Sequence, residues 1–175
     1  MPPNYSPSTV ARIGDIVNGL RVDTGVLAAA TYIEQTQHEL FTIVGRLKIH
    51  QLFAEVTTVF SADASLVQFN VTWSTPVIAV APLCAVSATV SALAVGERIT
   101  RVGGAVATAA ILTATAGITD INITPQVVGG VTTAGANFLG TIGILSTTAS
   151  LTPGAFRCSV FYTPMSDGAR ISALV

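Results

Sequence analysis

The sequence predicts an all-β fold, an antiparallel β-sandwich or barrel of the jelly-roll type, with an N-terminal arm that contains a short helix. Val, Ile and Thr are abundant, and these β-branched residues pack well on a pleated sheet but lose side-chain freedom in a helix. Several segments alternate apolar and polar residues, as a strand with one buried face does. Turn-forming pairs such as Thr75-Pro76, Gly129-Gly130 and Asp167-Gly168 separate short segments. The 175 residues suit one such domain.

Residues 1–36 form the predicted arm and residues 37–175 the predicted β domain. Prolines at positions 2, 3 and 7 favour extended backbone at the start of the arm. A short helix is predicted next, because apolar residues recur at helical spacing at Val10, Ile13, Ile16, Val17 and Leu20. The alternative is a frayed tail. An apolar stripe outside the β domain needs a partner, so the predicted interface residues are Val10, Ile13, Ile16 and Val17.

The first long strand is predicted in Arg46–Val56. Its apolar residues shift from odd to even positions near Gln51, as expected where a bulge interrupts a strand. The stretch 103–117 is so rich in Ala and Thr that a loop, a flat strand and a packed helix all fit it. Its structure therefore stays open at this point.

The clearest period-two alternation lies in Val67–Trp73, where every odd position is apolar and every even position is polar. Phe156–Tyr162 largely repeats this pattern, and Pro164 is expected to end that strand. Shorter strands are predicted at Ile121–Thr124 and Phe138–Ser146. Because Trp73 falls on the apolar face of its strand, we expect it to pack in the core.

Charge is scarce throughout the chain. Charged residues make up 10% of the sequence, hydrophobic residues make up 50%, and the mean hydropathy is +0.67. Soluble domains carry roughly 25% charged residues. Such a chain is expected to sit in lipid or to hide much of its surface against other protein copies. The uncharged window Val77–Val95 is long enough for a membrane helix, but Pro82 and several hydroxyl side chains argue against a membrane location.

The remaining residues exclude several functional classes. A net charge of −1 without basic runs argues against direct binding to nucleic acid. His38 and Glu39 are read as a solvated turn or strand edge, and no catalytic, metal or cofactor constellation is recognisable, so the sequence predicts a protein that is not an enzyme. Cys84 and Cys158 are expected to be small buried hydrophobic residues. The N-terminus resembles no secretory signal, which predicts folding in the cytoplasm.

Three segments resemble small virion structural proteins of tailed bacteriophages: Glu39–Ile49, Leu52–Val59 and Val160–Ala169. The shared features are a long β-rich segment after an N-terminal arm, a middle rich in Ala, Thr and Gly, and an aromatic strand near the C-terminus. The resemblance implies a capsid decoration (cement) protein, made in the host cytoplasm, that binds the major capsid protein on the virion surface as a homo-oligomer, with a trimer favoured. The alternative is a tail, fibre or host-recognition module.

Overall fold

The computed structural model describes residues 19–28, 36–60, 65–91, 93–101, 110–113, 125–148 and 154–174. Within these ranges the chain forms twelve β-strands and no helix. The strands are β1 (Leu20–Asp23), β2 (Leu27–Ala28), β3 (Gln37–Val44), β4 (Leu47–Thr58), β5 (Val67–Thr75), β6 (Val77–Pro82), β7 (Arg98–Thr100), β8 (Ile111–Thr113), β9 (Gln126–Val128), β10 (Leu139–Ser146), β11 (Ala155–Pro164) and β12 (Arg170–Ala173).

These strands form two antiparallel sheets. Sheet A has the order β1-β11-β4-β7-β8, and β2 and β9 pair with β11 and β4 respectively. Sheet B has the order β12-β3-β10-β5-β6. The apolar faces of the two sheets enclose one core. The all-β antiparallel sandwich that the sequence predicts is therefore confirmed.

The chain crosses repeatedly between the sheets in the order of a jelly roll. Strands β1, β4, β7 and β11 belong to sheet A, whereas β3, β5, β6 and β10 belong to sheet B. The resulting neighbours, β1-β11-β4-β7 in one sheet and β3-β10-β5-β6 in the other, are those that two Greek keys produce. Strands β8 and β12 extend the two sheets by one strand each.

The core is built from the alternate residues that the sequence pattern assigns to it. Val67, Phe69, Val71 and Trp73 of β5 are all buried, whereas Ser74 and Thr75 at the end of this strand are exposed. The largest buried side chains come from both sheets and include Phe41, Ile43, Leu47, Ile49, Leu52, Phe69, Ile142 and Phe156. Burying each contributes about 1.5–3 kcal/mol. The expected core position of Trp73, which is 7% exposed, is confirmed.

A bulge interrupts β4 where the sequence predicts one. Tyr162 of β11 pairs with Ile49 and Phe161 pairs with Gln51, so His50 is the extra residue between them. The apolar side chains consequently change from odd to even positions without leaving the core. β11 ends at Pro164, also as predicted.

Glycine permits two close approaches beside Trp73. A Cβ atom on Gly129, whose φ is +77°, would lie 2.0 Å from the Gly45 carbonyl oxygen. A Cβ atom on Gly140 would lie 2.3 Å from the Thr72 carbonyl oxygen and 2.7 Å from a ring atom of Trp73. These two glycines therefore let the backbone just after β9 and strand β10 pack tightly against the Trp73 ring.

Other sequence predictions have mixed outcomes. The strand at Phe138–Ser146 is confirmed as β10, which begins one residue later, whereas Ile121–Thr124 lies outside the described residues. Of the open stretch 103–117, residues 111–113 form β8. Leu20, the last residue of the apolar stripe, is in β1 and pairs with Tyr162, so a helix does not extend to it.

Candidate interaction surface

The outer face of sheet A, opposite the core, carries a row of ion pairs across three strands. Glu55 of β4 lies between Arg157 of β11 and Arg98 of β7 in the strand register. Its carboxylate accepts hydrogen bonds from Arg98 Nε at 3.0 Å and Arg98 Nη2 at 2.8 Å, and from Arg157 Nη2 at 3.1 Å. One carboxylate therefore holds two guanidinium groups in place on this face.

Two phenyl rings lie beneath these charges. Phe53 and Phe161 stack with their centroids 6.5 Å apart. The guanidinium carbon of Arg98 lies 4.6 Å from the Phe53 centroid, and that of Arg21 lies 5.5 Å from the Phe161 centroid. Cation–π contacts of this kind explain how Phe53 is buried on a face that points away from the core.

Strand β1 forms a charged edge of sheet A. Arg21 Nε donates to Asp23 Oδ1 at 2.8 Å, and the Ser159 hydroxyl donates to the same oxygen. Burial alone would raise the pKa of Asp23, but the hydrogen bonds from Ser159 and Arg21 outweigh it, and the pKa is lowered. The edge therefore keeps a charge of each sign at neutral pH.

His50, the bulge residue, also lies on sheet A. Its Nε2 atom is 2.7 Å from the Thr163 hydroxyl oxygen, with which it shares a hydrogen bond. Burial and, second, the nearby charge of Lys48 lower the pKa of His50. The imidazole therefore binds a proton less readily in the folded protein than in the unfolded chain.

The outer face of sheet B is mostly uncharged. Gln37 of β3 reaches across β10, where a Cβ atom on Gly143 would meet its side chain at 2.9 Å, and donates to the Thr72 hydroxyl at 2.8 Å. Glu39 brings the one negative charge described on this face and accepts from the Thr141 hydroxyl at 3.0 Å. Amide and hydroxyl groups thus replace the ion pairs of sheet A.

Strand β6, at the edge of sheet B, exposes a continuous apolar run. Val77, Ile78, Ala79 and Val80 are all exposed, and Val77 reaches 88%. β6 pairs with β5 on one side, and no described strand pairs with its other side. Runs of three or four exposed apolar residues are unusual on a soluble protein unless they bind a partner. Leu139, opposite Thr75 at the end of β5, adds a further exposed apolar side chain nearby.

The buried cysteines and the buried Arg101 in the described part of the chain have structural roles. Cys84 and Cys158 are buried and unbonded to each other, as expected from the sequence, and burial raises the pKa of both thiols. Arg101 is fully buried and its Nε donates to the Leu83 carbonyl at 3.2 Å and to Gln126 Oε1 at 3.1 Å. Groups of three or more potential metal ligands are absent from the described residues.

The predicted interface residues Val10, Ile13, Ile16 and Val17 lie outside the described residues. Sequence reasoning missed β6, although the signal was present. The uncharged window Val77–Val95 has the length of a membrane span, but its first residues form an exposed edge strand. The described residues include no helix with the length and hydrophobicity that membrane crossing requires.

Comparisons of the chain with family models, with curated proteins and with solved structures found no match. The resemblance to tailed-phage virion proteins therefore stays a prediction.

Proposed function

We propose that this protein is a structural subunit of a tailed-phage virion, and that it decorates and stabilises the shell formed by the major capsid protein. The observation that carries the proposal is the exposed apolar run of β6 on a chain with only 10% charged residues. A chain that works as a free monomer would be expected to cover such a strand or to place charges on it.

The mechanism is mechanical and thermodynamic. A subunit that binds only the assembled shell stabilises it by linkage, because its binding free energy is lost when the shell comes apart. Each contact is modest, but many copies act together. Pre-formed sheets suit this role, since a rigid sandwich loses little conformational entropy on binding.

The fold is compatible with the proposal by analogy only. Double-sheet jelly rolls occur in viral capsid and lectin domains, but one fold serves many functions. The lectin precedent keeps a second candidate open, a tail, fibre or host-recognition module. The mostly uncharged outer face of sheet B favours it, because Gln37, Thr72 and Thr141 carry amide and hydroxyl groups of the kind that bind sugar hydroxyls.

The test is co-sedimentation of the full chain with empty phage shells, followed by heating of the loaded and bare shells. The proposal predicts that the chain sediments with the shells and raises the temperature at which they come apart. A chain that stays in the supernatant would contradict shell decoration. Retention on host cell surfaces in a parallel binding assay would then favour host recognition.

The arm is tested in the same assay. We expect Ile13→Asp/Ile16→Asp to weaken shell binding at least tenfold, because a charged residue in an apolar contact stays unpaired, while the far-ultraviolet circular dichroism remains that of a β protein. The matched control is Val59→Asp/Val95→Asp, which charges two exposed valines of the β domain. Equal shell binding by the two double variants would remove the arm from the interface.

A further inference from the structure

Hydrogen-bond acceptors gather on the outer face of sheet B, where strands β3, β10 and β5 run side by side. Asn70 of β5 lies on this face, since its neighbours Phe69 and Val71 belong to the core. In the strand register it is opposite Gly143 of β10. Asn70 is only 3% exposed, and the described residues offer its Oδ1 atom no hydrogen-bond donor. Such an amide oxygen is uncommon in folded proteins, because burial removes its water.

Gln37 reaches the same place from strand β3. A Cβ atom on Gly143 would lie 2.9 Å from Gln37 Cγ and 3.0 Å from Gln37 Nε2, so the Gln37 side chain passes directly over this glycine. Its Nε2 atom donates at 2.8 Å to the hydroxyl of Thr72, which lies two residues along β5 from Asn70. Gln37 Oε1 is buried and, within the described part of the chain, accepts no hydrogen bond. Two unpaired amide oxygens therefore lie beside one glycine.

Glu39 adds a third acceptor and the one negative charge described on this face. It pairs with Gly143 in the strand register and accepts from the Thr141 hydroxyl at 3.0 Å. We call Gln37, Glu39 and Asn70 the acceptor cluster. A complementary ligand brings hydrogen-bond donors and no negative charge. A calcium-like cation fits poorly, because it prefers several carboxylates and the described residues contain no group of three potential metal ligands.

A row of hydroxyl side chains crosses the sheet next to the acceptor cluster. It contains one residue from each of four adjacent strands, Ser172, Thr42, Thr141 and Thr72, which are neighbours in the strand register. Neighbouring strands are about 4.8 Å apart, so the row spans roughly 14 Å. Each hydroxyl can both donate and accept a hydrogen bond. The row therefore favours an extended ligand with many hydroxyl groups over a single small one.

We propose that the acceptor cluster and the hydroxyl row form a binding site for a neutral carbohydrate chain. Sugar hydroxyls supply the donors that Asn70 Oδ1 and Gln37 Oε1 lack, and they accept from the hydroxyls of the row. The Gln37 side chain rotates away from Gly143 to admit the ligand, which then lies over a residue without a side chain. This site goes beyond shell decoration and does not require it, since one chain supplies every residue.

The experiment is titration calorimetry of the full chain, without shells, against neutral and acidic oligosaccharides. The neutral probes are oligomers of glucose, galactose and N-acetylglucosamine, and the acidic probes are oligomers of uronic acids. At least one neutral probe should bind with a dissociation constant of about 1 mM or lower. Acidic probes should bind more weakly, because Glu39 repels them. Absence of binding by every neutral probe, or tighter binding of an acidic one, would overturn the proposal and leave an ordered water as the occupant.

Asn70→Leu and Gln37→Met separate ligand binding from structure. Each replaces an amide by an apolar side chain of similar size and should weaken oligosaccharide binding at least about tenfold. Asn70→Leu should not lower the melting temperature, since Asn70 Oδ1 has no donor to lose among the described residues. Gln68→Met is the matched control, because Gln68 lies on the same face but donates to the Cys84 carbonyl outside the cluster.

The control should keep the oligosaccharide affinity of the wild-type chain. Binding that survives both Asn70→Leu and Gln37→Met, or that Gln68→Met weakens equally, would place the ligand elsewhere and overturn the site. These measurements use no shells, so their failure is distinguishable from failure of the proposed function.

Discussion

Strands β1 and β6 are both edge strands that pair with one neighbour, yet their chemistry is opposite. β1 presents Arg21 and Asp23, which are tied to each other and to Ser159. β6 presents four exposed apolar residues in sequence and no charge. The difference continues onto the outer faces, since sheet A has ion pairs over phenyl rings and sheet B has mainly amide and hydroxyl groups.

This comparison shows that the low charge of the chain is unevenly distributed. Four of the eight basic residues, Arg21, Lys48, Arg98 and Arg157, lie on the outer side of sheet A. Sheet A therefore has the surface of an ordinary soluble protein. The edge of sheet B instead exposes an apolar run, the kind of composition that is enriched in the cores of protein interfaces.

The largest loss of stability is expected from replacing Trp73, which lies next to β6 in strand β5. Trp73 is 7% exposed, pairs with Ile78 of β6, and packs edge-on against Phe138 with centroids 5.6 Å apart. Trp73→Ala should lower the free energy of unfolding by about 3–5 kcal/mol, because it leaves a cavity in the core. Urea unfolding should be followed by circular dichroism, since Trp73 is the sole tryptophan.

The matched change on sheet A is Phe161→Ala, which removes a ring from the outer face. We expect a loss of about 1 kcal/mol, the order of an aromatic pair outside the core. Equal losses in the free energy of unfolding for Trp73→Ala and Phe161→Ala would mean that both rings contribute equally to stability. The distinction between the core next to β6 and the outer face of sheet A would then fail.

An intermediate effect is expected from the ion-pair row. Glu55→Gln removes the carboxylate between Arg98 and Arg157 and should cost about 1 kcal/mol in urea unfolding at low salt. This loss of stability should be smaller in about 1 M salt, because the Debye screening length is then only roughly 3 Å. Glu39→Gln on sheet B is the control and should change stability by less than about 0.5 kcal/mol. If Glu39→Gln reduced stability more than Glu55→Gln, the ion pairs of sheet A would not be the larger electrostatic contribution to stability.

The smallest effect concerns His50. Its pKa is lowered on folding by burial and by Lys48, so the unfolded chain binds more protons as the pH falls through the ordinary value of 6.5. Stability from this group is complete above that pH and is lost as the pH falls toward the lower folded pKa. The melting temperature of the wild type should therefore drop more between about pH 7.5 and 5.5 than that of His50→Gln. Identical drops would show that His50 does not contribute.

The sequence pattern predicts those strands in which one face is buried in the core and the other is exposed to solvent. Val67–Trp73 alternates cleanly because β5 has the core on one side, and the phase change at Gln51 located the bulge at His50. β6 has no such alternation, because both of its faces are apolar at the edge of the sheet. A uniform apolar run carries no period, so periodicity could not separate an exposed strand from a buried one.

The jelly-roll connectivity and the ion-pair row also required the structure. Residues 55, 98 and 157 are far apart in sequence and meet only through the strand order β11-β4-β7. Likewise, the contrast between the charged strand β1 and the uncharged strand β6 depends on which strands end each sheet. Local sequence determines the strands, whereas the order of strands determines which of them remain uncovered.

The most direct measurement is the mass of the full chain in solution by light scattering over a range of concentrations. A protein that works as one of many copies should have a mass of at least twice the 17.9 kDa of one chain, and the mass should rise with concentration. A constant mass of one chain, together with no binding to empty phage shells, would contradict the structural role.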